Sequence, residues 1–262
     1  MRFFGVLPFY AVLLAGTACA QWAPPPGTRA PKGRDGKPNL SAPAPRAANG
    51  KPDLSGVWGN PPCRKEEPCP AGVHEELLPL PAQFVEIEWG MKEPLPYQAW
   101  AAEVVAKRKA SHGMENPDAR CLPIGPVQHD THPYPRRIVQ GTDVIAILFE
   151  KDNTFRQFFL DGRSLPKDPL PWYNGYSVGK WEGDTLVVET TGLRNDGWLD
   201  FRGGLYTDAA KLIERFRRPN WGTLEIQLTV DDRKAFTRPW TVTITQKLIL
   251  DTDVFEFFCA EN

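Results

Sequence analysis

Nine short stretches in the second half of the chain have the residue pattern of β-strands, and they constrain the possible folds most. They span residues 136–140, 144–150, 154–160, 176–181, 184–191, 211–218, 223–231, 240–250 and 254–259. The stretch 223–231 alternates apolar and polar side chains strictly, as a half-buried strand requires. Short polar connectors such as 152–153 separate most of the stretches, and such connectors form hairpins rather than helical crossovers.

Consecutive antiparallel strands usually close into a barrel or stack as a sandwich, because open sheet edges pair with other chains. The sequence therefore predicts a mainly β fold with a single antiparallel β-barrel of the lipocalin (calycin-like) type, and a β-sandwich is the alternative. A flanking helix is predicted from Tyr97 to about Ser111, where apolar residues recur at helical spacing. This domain is expected to span 51–262, with a proline-rich, partly helical portion at 60–135.

The first 20 residues have the features of a signal peptide. Arg2 is followed by an apolar run, and Ala18-Cys19-Ala20 suits cleavage before Gln21, which predicts a periplasmic or secreted protein. The alternative is a lipoprotein processed at Cys19, although Gly16 departs from the usual motif. Residues 21–50 are rich in proline with few apolar side chains, so a disordered linker is expected there.

Four cysteines remain after cleavage, and an even number in an oxidising compartment favours disulfides. Of the three possible pairings, Cys63–Cys69 with Cys121–Cys259 is preferred, because it joins a short local loop and ties the start of the β region to its end. Zinc is disfavoured by the spacing.

The chain has 31 basic and 32 acidic residues, so no excess charge would attract nucleic acid. No second apolar run is long enough for a transmembrane helix. The common nucleophile, phosphate-loop and zinc motifs are absent from the sequence, and no cofactor is expected. His129, Asp130 and His132 lie close together, but their proline-flanked setting favours loop residues over metal ligands.

Two carboxylates within predicted strands, Glu189 and Glu214, are the candidate catalytic residues. Glu189 shares a face with Val187, and Glu214 lies between Leu212 and Phe216 on one face. A carboxylate inside a barrel must be paired or must serve a ligand, because a lone buried charge is costly. A structural ion pair or an outward-facing position is the alternative for each.

Aromatic and charged residues are densest between 156 and 200, where a proline-containing loop could close one mouth of the barrel. The candidate ligand-binding residues are Arg156, Asp161, Arg163, Trp172, Tyr176, Trp198, Asp200 and Arg217.

Several motifs resemble those of a large uncharacterised family of secreted proteins from soil bacteria. They are GKPDLSGVW at 50–58, DGR at 161–163, GYSVGKWEGDTLVVET at 175–190, ERFRR at 214–218 and CAEN at 259–262. The resemblance covers roughly residues 50–262 and implies no settled activity. Members of that family commonly carry a Gly-His-Pro-His segment before ERFRR, whereas residues 203–207 here contain no histidine. Any metal or acid–base chemistry of those histidines would be missing from this chain.

Three functions are compatible with these patterns. The first is binding of a small amphipathic molecule in or at the mouth of the barrel. The second is a secreted hydrolase or isomerase, with a barrel carboxylate as general base and Arg163 or Arg217 holding an anion. The third is a structural or interaction domain of the cell envelope.

Overall fold

The computed structural model describes residues 30–60, 86–250 and 252–259, which form a closed β-barrel of nine strands. The predicted mainly β fold, with a single barrel and a flanking helix, is confirmed. The strands are β1 Gly56–Gly59, β2 Arg136–Gln140, β3 Val144–Phe149, β4 Thr154–Phe159, β5 Tyr176–Glu182, β6 Thr185–Thr191, β7 Lys211–Asn220, β8 Thr223–Asp231 and β9 Trp240–Ile249.

The strands follow one another around the barrel in chain order, and β1 pairs with β9 to close it. A closed ring with an odd number of strands cannot alternate in direction throughout, so two neighbours must run parallel. These are β4 and β5, which pair over only two positions, Phe158 with Ser177 and Phe159 with Val178. The 160–175 connection returns the chain from the end of β4 to the start of β5.

One predicted strand is wrong. Residues 252–258 have no regular structure, and the ninth strand is instead β1, at the other end of the domain. The terminal segment has no edge to join, because β9 is already paired with both β8 and β1. It is held by side chains instead: the Phe255 amide donates to Glu150, and Asn153 exchanges two hydrogen bonds with the backbone of Phe257.

The interior of the barrel is packed with apolar side chains from alternate strand positions. On β7, for example, Leu212, Glu214 and Phe216 are buried, whereas Arg215 and Arg217 point outward. Each fully buried Leu, Ile or Phe side chain contributes roughly 1.5–3 kcal/mol to stability. The largest of the core side chains include Trp58, Phe158, Phe216, Ile145, Ile147 and Leu186.

Two helices lie at the end of the barrel where β2 begins. Helix α1, Ala99–Ala110, is the predicted helix, and α2, Pro126–Thr131, was not predicted. All six residues of α2 are buried. They contact the mouth of the barrel through Asp130, which pairs with Arg136, and His129, which stacks on Phe149. Among the described residues, 3-10 helices span Ile87–Gly90, Pro117–Arg120 and Lys151–Asn153.

The described part of the predicted linker lies along the opposite end of the barrel. The Gly222 amide donates to Leu40, Arg46 pairs with Asp184, and the Leu54 amide donates to Gln140. Residues 30–50 therefore differ from the expected disordered segment. Backbone hydrogen bonds within the segment fix its turns, and contacts with the hairpin connections of the barrel fix its position. The segment has no separate hydrophobic core among the described residues.

The Cys121–Cys259 disulfide is present and spans a sequence separation of 138. It ties the segment before α2 to the chain terminus. The predicted signal peptide 1–20, the lipidation alternative at Cys19 and the Cys63–Cys69 bond all lie outside the described residues. Within the part of the chain that the structure describes, no helix is long and apolar enough to span a membrane.

Candidate functional site

A buried ion pair crosses the interior of the barrel. Arg156 on β4 donates from Nη1 to Oε1 of Glu214 at 2.9 Å, and its Nη2 bonds the second carboxylate oxygen. The same guanidinium reaches Oγ1 of Thr190 at 2.7 Å and Oγ of Ser177 at 3.3 Å. One side chain thus links β4, β5, β6 and β7. Burial lowers the pKa of Arg156, but the charge of Glu214 outweighs it and the pKa is raised.

A second buried pair lies beside the first, under helix α2. Arg136 donates to Asp130 at 2.5 Å, and both side chains are buried. Burial raises the pKa of Asp130, and the nearby Glu214 charge raises it further, against the lowering effect of Arg136. The two pairs carry no net charge together, which is how a low-dielectric interior tolerates four ionised groups.

His129 occupies the same region as a neutral imidazole. It is buried, and its ring lies 3.9 Å from that of Phe149. Burial lowers its pKa well below the usual value, and the nearby cations of Arg136 and Lys151 lower it further. His132 instead contacts Asp118 at 2.9 Å. Among the residues described, no three His, Cys, Asp or Glu side chains form a group that could hold a metal ion.

A cleft opens at this end of the barrel, which we call the mouth cleft. Its cavity volume is about 10 Å³, which is room for about one water molecule. Its walls are formed by aromatic rings, the Gln128 amide, the Arg194–Asp196 ion pair and glycine backbone. The lining residues are Pro117, Pro123, Ile124, Gly125, Gln128, Tyr173, Arg194, Asp196, Gly197, Trp198 and Tyr206. A more open basin of about 370 Å³ adjoins it and shares Arg194 and Asp196.

Tyr206 is held in the mouth cleft between two glycines. A Cβ atom on Gly125 would lie 1.9 Å from the Tyr206 hydroxyl, and one on Gly197 would lie 1.9 Å from Cζ of the same ring. Both positions must therefore lack a side chain for the ring to fit. Burial raises the pKa of Tyr206 above its usual range, so the hydroxyl stays protonated.

Gln128 gives the mouth cleft an acceptor. Its Nε2 donates to Asn116 at 2.9 Å, which fixes the orientation of the amide. Its Oε1 is buried and has no hydrogen-bond partner among the described residues. A buried acceptor without a partner is costly, so a donor is expected to approach it.

Guanidinium groups cover two of the aromatic walls. Arg194 lies 4.5 Å from the centroid of the Tyr173 ring and also pairs with Asp196, while Arg108 lies 4.3 Å from that of Trp198. These rings already make cation–π contacts. A cationic ligand would have to displace them, so the cleft is better suited to a neutral molecule.

Four of the residues predicted to bind a ligand come together, but on the outside of the barrel. Arg163 pairs with Asp161, donates to the Tyr176 hydroxyl at 3.2 Å and lies over the ring of Phe159. Trp172 lies 6.2 Å from Tyr176, measured between ring centroids. We call Phe155, Phe159, Arg163, Trp172 and Tyr176 the outer patch.

The remaining predicted residues are spread over the molecule. Glu189 lies on the outer wall of β6 and pairs with Lys211, and Arg217 is exposed on β7 and pairs with Glu225. Asp200 is buried in a loop, where it accepts three backbone N–H groups, and burial raises its pKa to about 6. Of the predicted residues, Trp198 alone is among those that line the mouth cleft.

Sequence reasoning missed the residues that make the mouth cleft distinctive. Gln128 lies next to His129, which was considered only as a metal ligand, and Tyr206 lies in the segment noted for lacking histidine. The glycines at 125 and 197 were the available signal, because a glycine often marks a close approach. The family resemblance of the motifs stays a hypothesis, since no protein-family model and no curated protein matches this chain.

Proposed function

We propose that this barrel binds a small, neutral amphipathic molecule at its mouth, with the body of the ligand in the basin and one polar group in the mouth cleft. The observation that carries the proposal is Gln128 Oε1, a buried acceptor without a partner among the described residues, in a cleft walled by Tyr173, Trp198 and Tyr206. Ligand sites typically combine apolar and aromatic walls with a few polar groups that fix orientation. The body of the ligand would lie in the basin of about 370 Å³, and a hydroxyl or amino group of about the size of one water would enter the cleft and donate a hydrogen bond to Gln128.

Catalysis is the weaker alternative. Neither Glu189 nor Glu214 is among the residues that line the mouth cleft or its basin. The Glu214 carboxylate already accepts two hydrogen bonds from Arg156, and Glu189 is paired with Lys211 on the outer wall. A general base must reach the proton that it removes, so binding explains this geometry better.

We place this activity in the periplasm or outside the cell. The Cys121–Cys259 disulfide is compatible with such a location, because disulfides persist in oxidising compartments. The signal peptide proposed for residues 1–20 would deliver the protein there.

Fluorine NMR with two matched probes tests the binding proposal. The first probe, 4-fluorophenol, offers an aromatic ring and an O–H donor, and the second, 4-fluoroanisole, lacks the donor. Wild-type protein should broaden the 4-fluorophenol resonance and bind 4-fluoroanisole at least about tenfold more weakly, because a site built for a hydrogen bond rejects the analogue without it.

Two glutamine variants supply the control. Gln128→Met removes the acceptor and should abolish the preference for 4-fluorophenol. Gln246→Met removes a second buried glutamine, which lies on β9 and is not among the residues lining either cleft. It should leave the preference intact. Equal binding of both probes by wild-type protein would refute the proposal.

A further inference from the structure

The outer wall of the barrel carries exposed aromatic rings where β4 and β5 meet. Phe155 is 60% exposed and Trp172 is 43% exposed, and Tyr176 lies between Trp172 and Phe159. The wall formed by β9 differs, since its outward residues Thr241, Thr243 and Thr245 are polar. Clustered exposed aromatic residues on one wall indicate a surface that contacts another molecule.

Two buried oxygens lie beside these rings, and neither has a partner within the described residues. The first is Oδ1 of Asn174, whose side chain is more than nine-tenths buried. Its amide is oriented by Nδ2, which donates to the Phe155 carbonyl at 3.0 Å and to Thr154 Oγ1 at 3.2 Å. Oδ1 is therefore the end that remains to accept a hydrogen bond.

The second oxygen is Oγ1 of Thr191, a hydroxyl that can both donate and accept. Thr191 is the register partner of Tyr176, so the two side chains lie on the same, outer face of the sheet. Asn174 stands between Trp172 and Tyr176 in the chain. Stacking rings and unsatisfied oxygens are thus combined at one place on the surface.

The chemistry of this place selects among ligands. A lipid chain would cover the rings but would leave both oxygens unsatisfied. A phosphate group would find little attraction, because Asp161 neutralises Arg163. A sugar has apolar C–H faces that stack on rings and hydroxyls that both donate and accept. We propose that the outer patch, with Asn174 and Thr191, is a binding site for a neutral polysaccharide.

The proposal is independent of the mouth cleft. Tyr173 lines that cleft, whereas its neighbours Trp172 and Asn174 belong to the site at the outer patch, so one short segment contributes to two sites. A ligand on the outer patch needs no opening of the barrel.

Affinity electrophoresis tests the proposal. The full chain is run through native gels that contain a mixed-linkage β-glucan, a xylan, a galactomannan or amylopectin. At least one polysaccharide should retard the wild-type protein. Trp172→Ala should weaken that retardation about tenfold or more, as truncation of an aromatic anchor does. Thr191→Val, which removes the hydroxyl and keeps the shape, should weaken it several-fold.

Matched controls separate the site from general effects. Trp100→Ala removes a tryptophan of similar exposure on α1, and Thr243→Val removes an outward threonine of β9. Both should be retarded like wild type, as should Gln128→Met, whose defect would concern only the mouth cleft. Circular dichroism confirms that each variant is folded.

Three results would overturn the proposal. They are a wild-type protein that none of the four polysaccharides retards, a Trp100→Ala variant that is weakened as much as Trp172→Ala, and binding to phosphatidylcholine vesicles that depends on Trp172 without any retardation. The last result would identify the patch as a lipid-contacting surface.

Discussion

Arg156 on β4 donates two hydrogen bonds to the Glu214 carboxylate on β7, across the parallel junction of β4 and β5. That junction has only two backbone residue pairs, whereas β7 and β8 pair along most of their length. A buried side chain thus connects the strands from inside the barrel, at the junction where the fewest backbone residue pairs join two neighbouring strands.

Breaking this ion pair should destabilise the protein strongly. Glu214→Gln leaves the buried Arg156 charge without its carboxylate, and such losses cost about 3–5 kcal/mol of unfolding free energy. The matched variant Glu189→Gln removes an outer carboxylate paired with Lys211 and should cost less than about 1 kcal/mol. Urea denaturation measures both, and equal costs would contradict the interior role.

The double variant Arg156→Met/Glu214→Leu should recover most of the stability lost in Glu214→Gln, because it leaves neither charge behind. A double variant as unstable as Glu214→Gln would mean that the bonds from Arg156 to Thr190 and Ser177 dominate.

Acid should destabilise the protein through His129. Burial lowers the pKa of His129 in the folded state. As the pH falls below about 6.5, the unfolded chain therefore binds a proton at this imidazole while the folded protein does not. The contribution is fully present above that pH and is lost as the pH falls. Replacing the imidazole in His129→Asn should remove a slope of up to roughly 1.4 kcal/mol per pH unit.

The measurement is the free energy of unfolding of wild type and His129→Asn from pH 8 to pH 5. The difference between them should be constant above pH 7.5 and should shift in favour of the variant below pH 6.5. A difference that does not change with pH would contradict this, because it would mean that His129 takes up its proton at the same pH in the folded and the unfolded protein.

Loss of the Cys121–Cys259 disulfide should lower stability. The double variant Cys121→Ser/Cys259→Ser frees a loop with a sequence separation of 138, and removal of native disulfides typically costs about 2–5 kcal/mol. Urea denaturation gives the value. Non-reducing peptide mapping of wild type checks the pairing and also tests the predicted Cys63–Cys69 bond.

Replacing Gln246 should stabilise the barrel. The side chain is fully buried on β9, and neither amide atom has a partner among the described residues. Gln246→Leu removes that penalty and should raise the free energy of unfolding by roughly 1–3 kcal/mol. A clear loss of stability would indicate that bound water satisfies the amide in the wild-type protein.

Strand positions could be predicted from the sequence because alternation and turn residues are local signals. The eight predicted strands from 136 to 250 correspond to β2–β9. The partner that closes the barrel could not be found in this way, since β1 has only four residues and lies behind a proline-rich stretch. Helix α2 was missed for a similar reason, because it is short and flanked by prolines.

The candidate site was harder to predict, as the two carboxylates illustrate. Leu186, Val187 and Val188 make both faces of β6 apolar, so alternation could not decide whether Glu189 points inward. On β7 Glu214 shares a face with Leu212 and Phe216 while Arg215 and Arg217 lie on the other, which favours the interior for Glu214, and the structure buries it there. The Arg163, Trp172 and Tyr176 cluster was recognised, but its place outside the barrel depends on the return path of 160–175.

The pairing of β1 with β9 also sets an order of events during synthesis. Residues 56–59 are synthesised early, but their pairing partner 240–249 follows almost two hundred residues later. The wall of the barrel is complete only when these two strands have paired. Until then β1 and the newest strand each present an unpaired edge, the kind of surface through which chains aggregate. A nascent or truncated chain that ends before residue 240 therefore keeps an open edge through which it can aggregate, whereas the complete barrel has no open edge at β1.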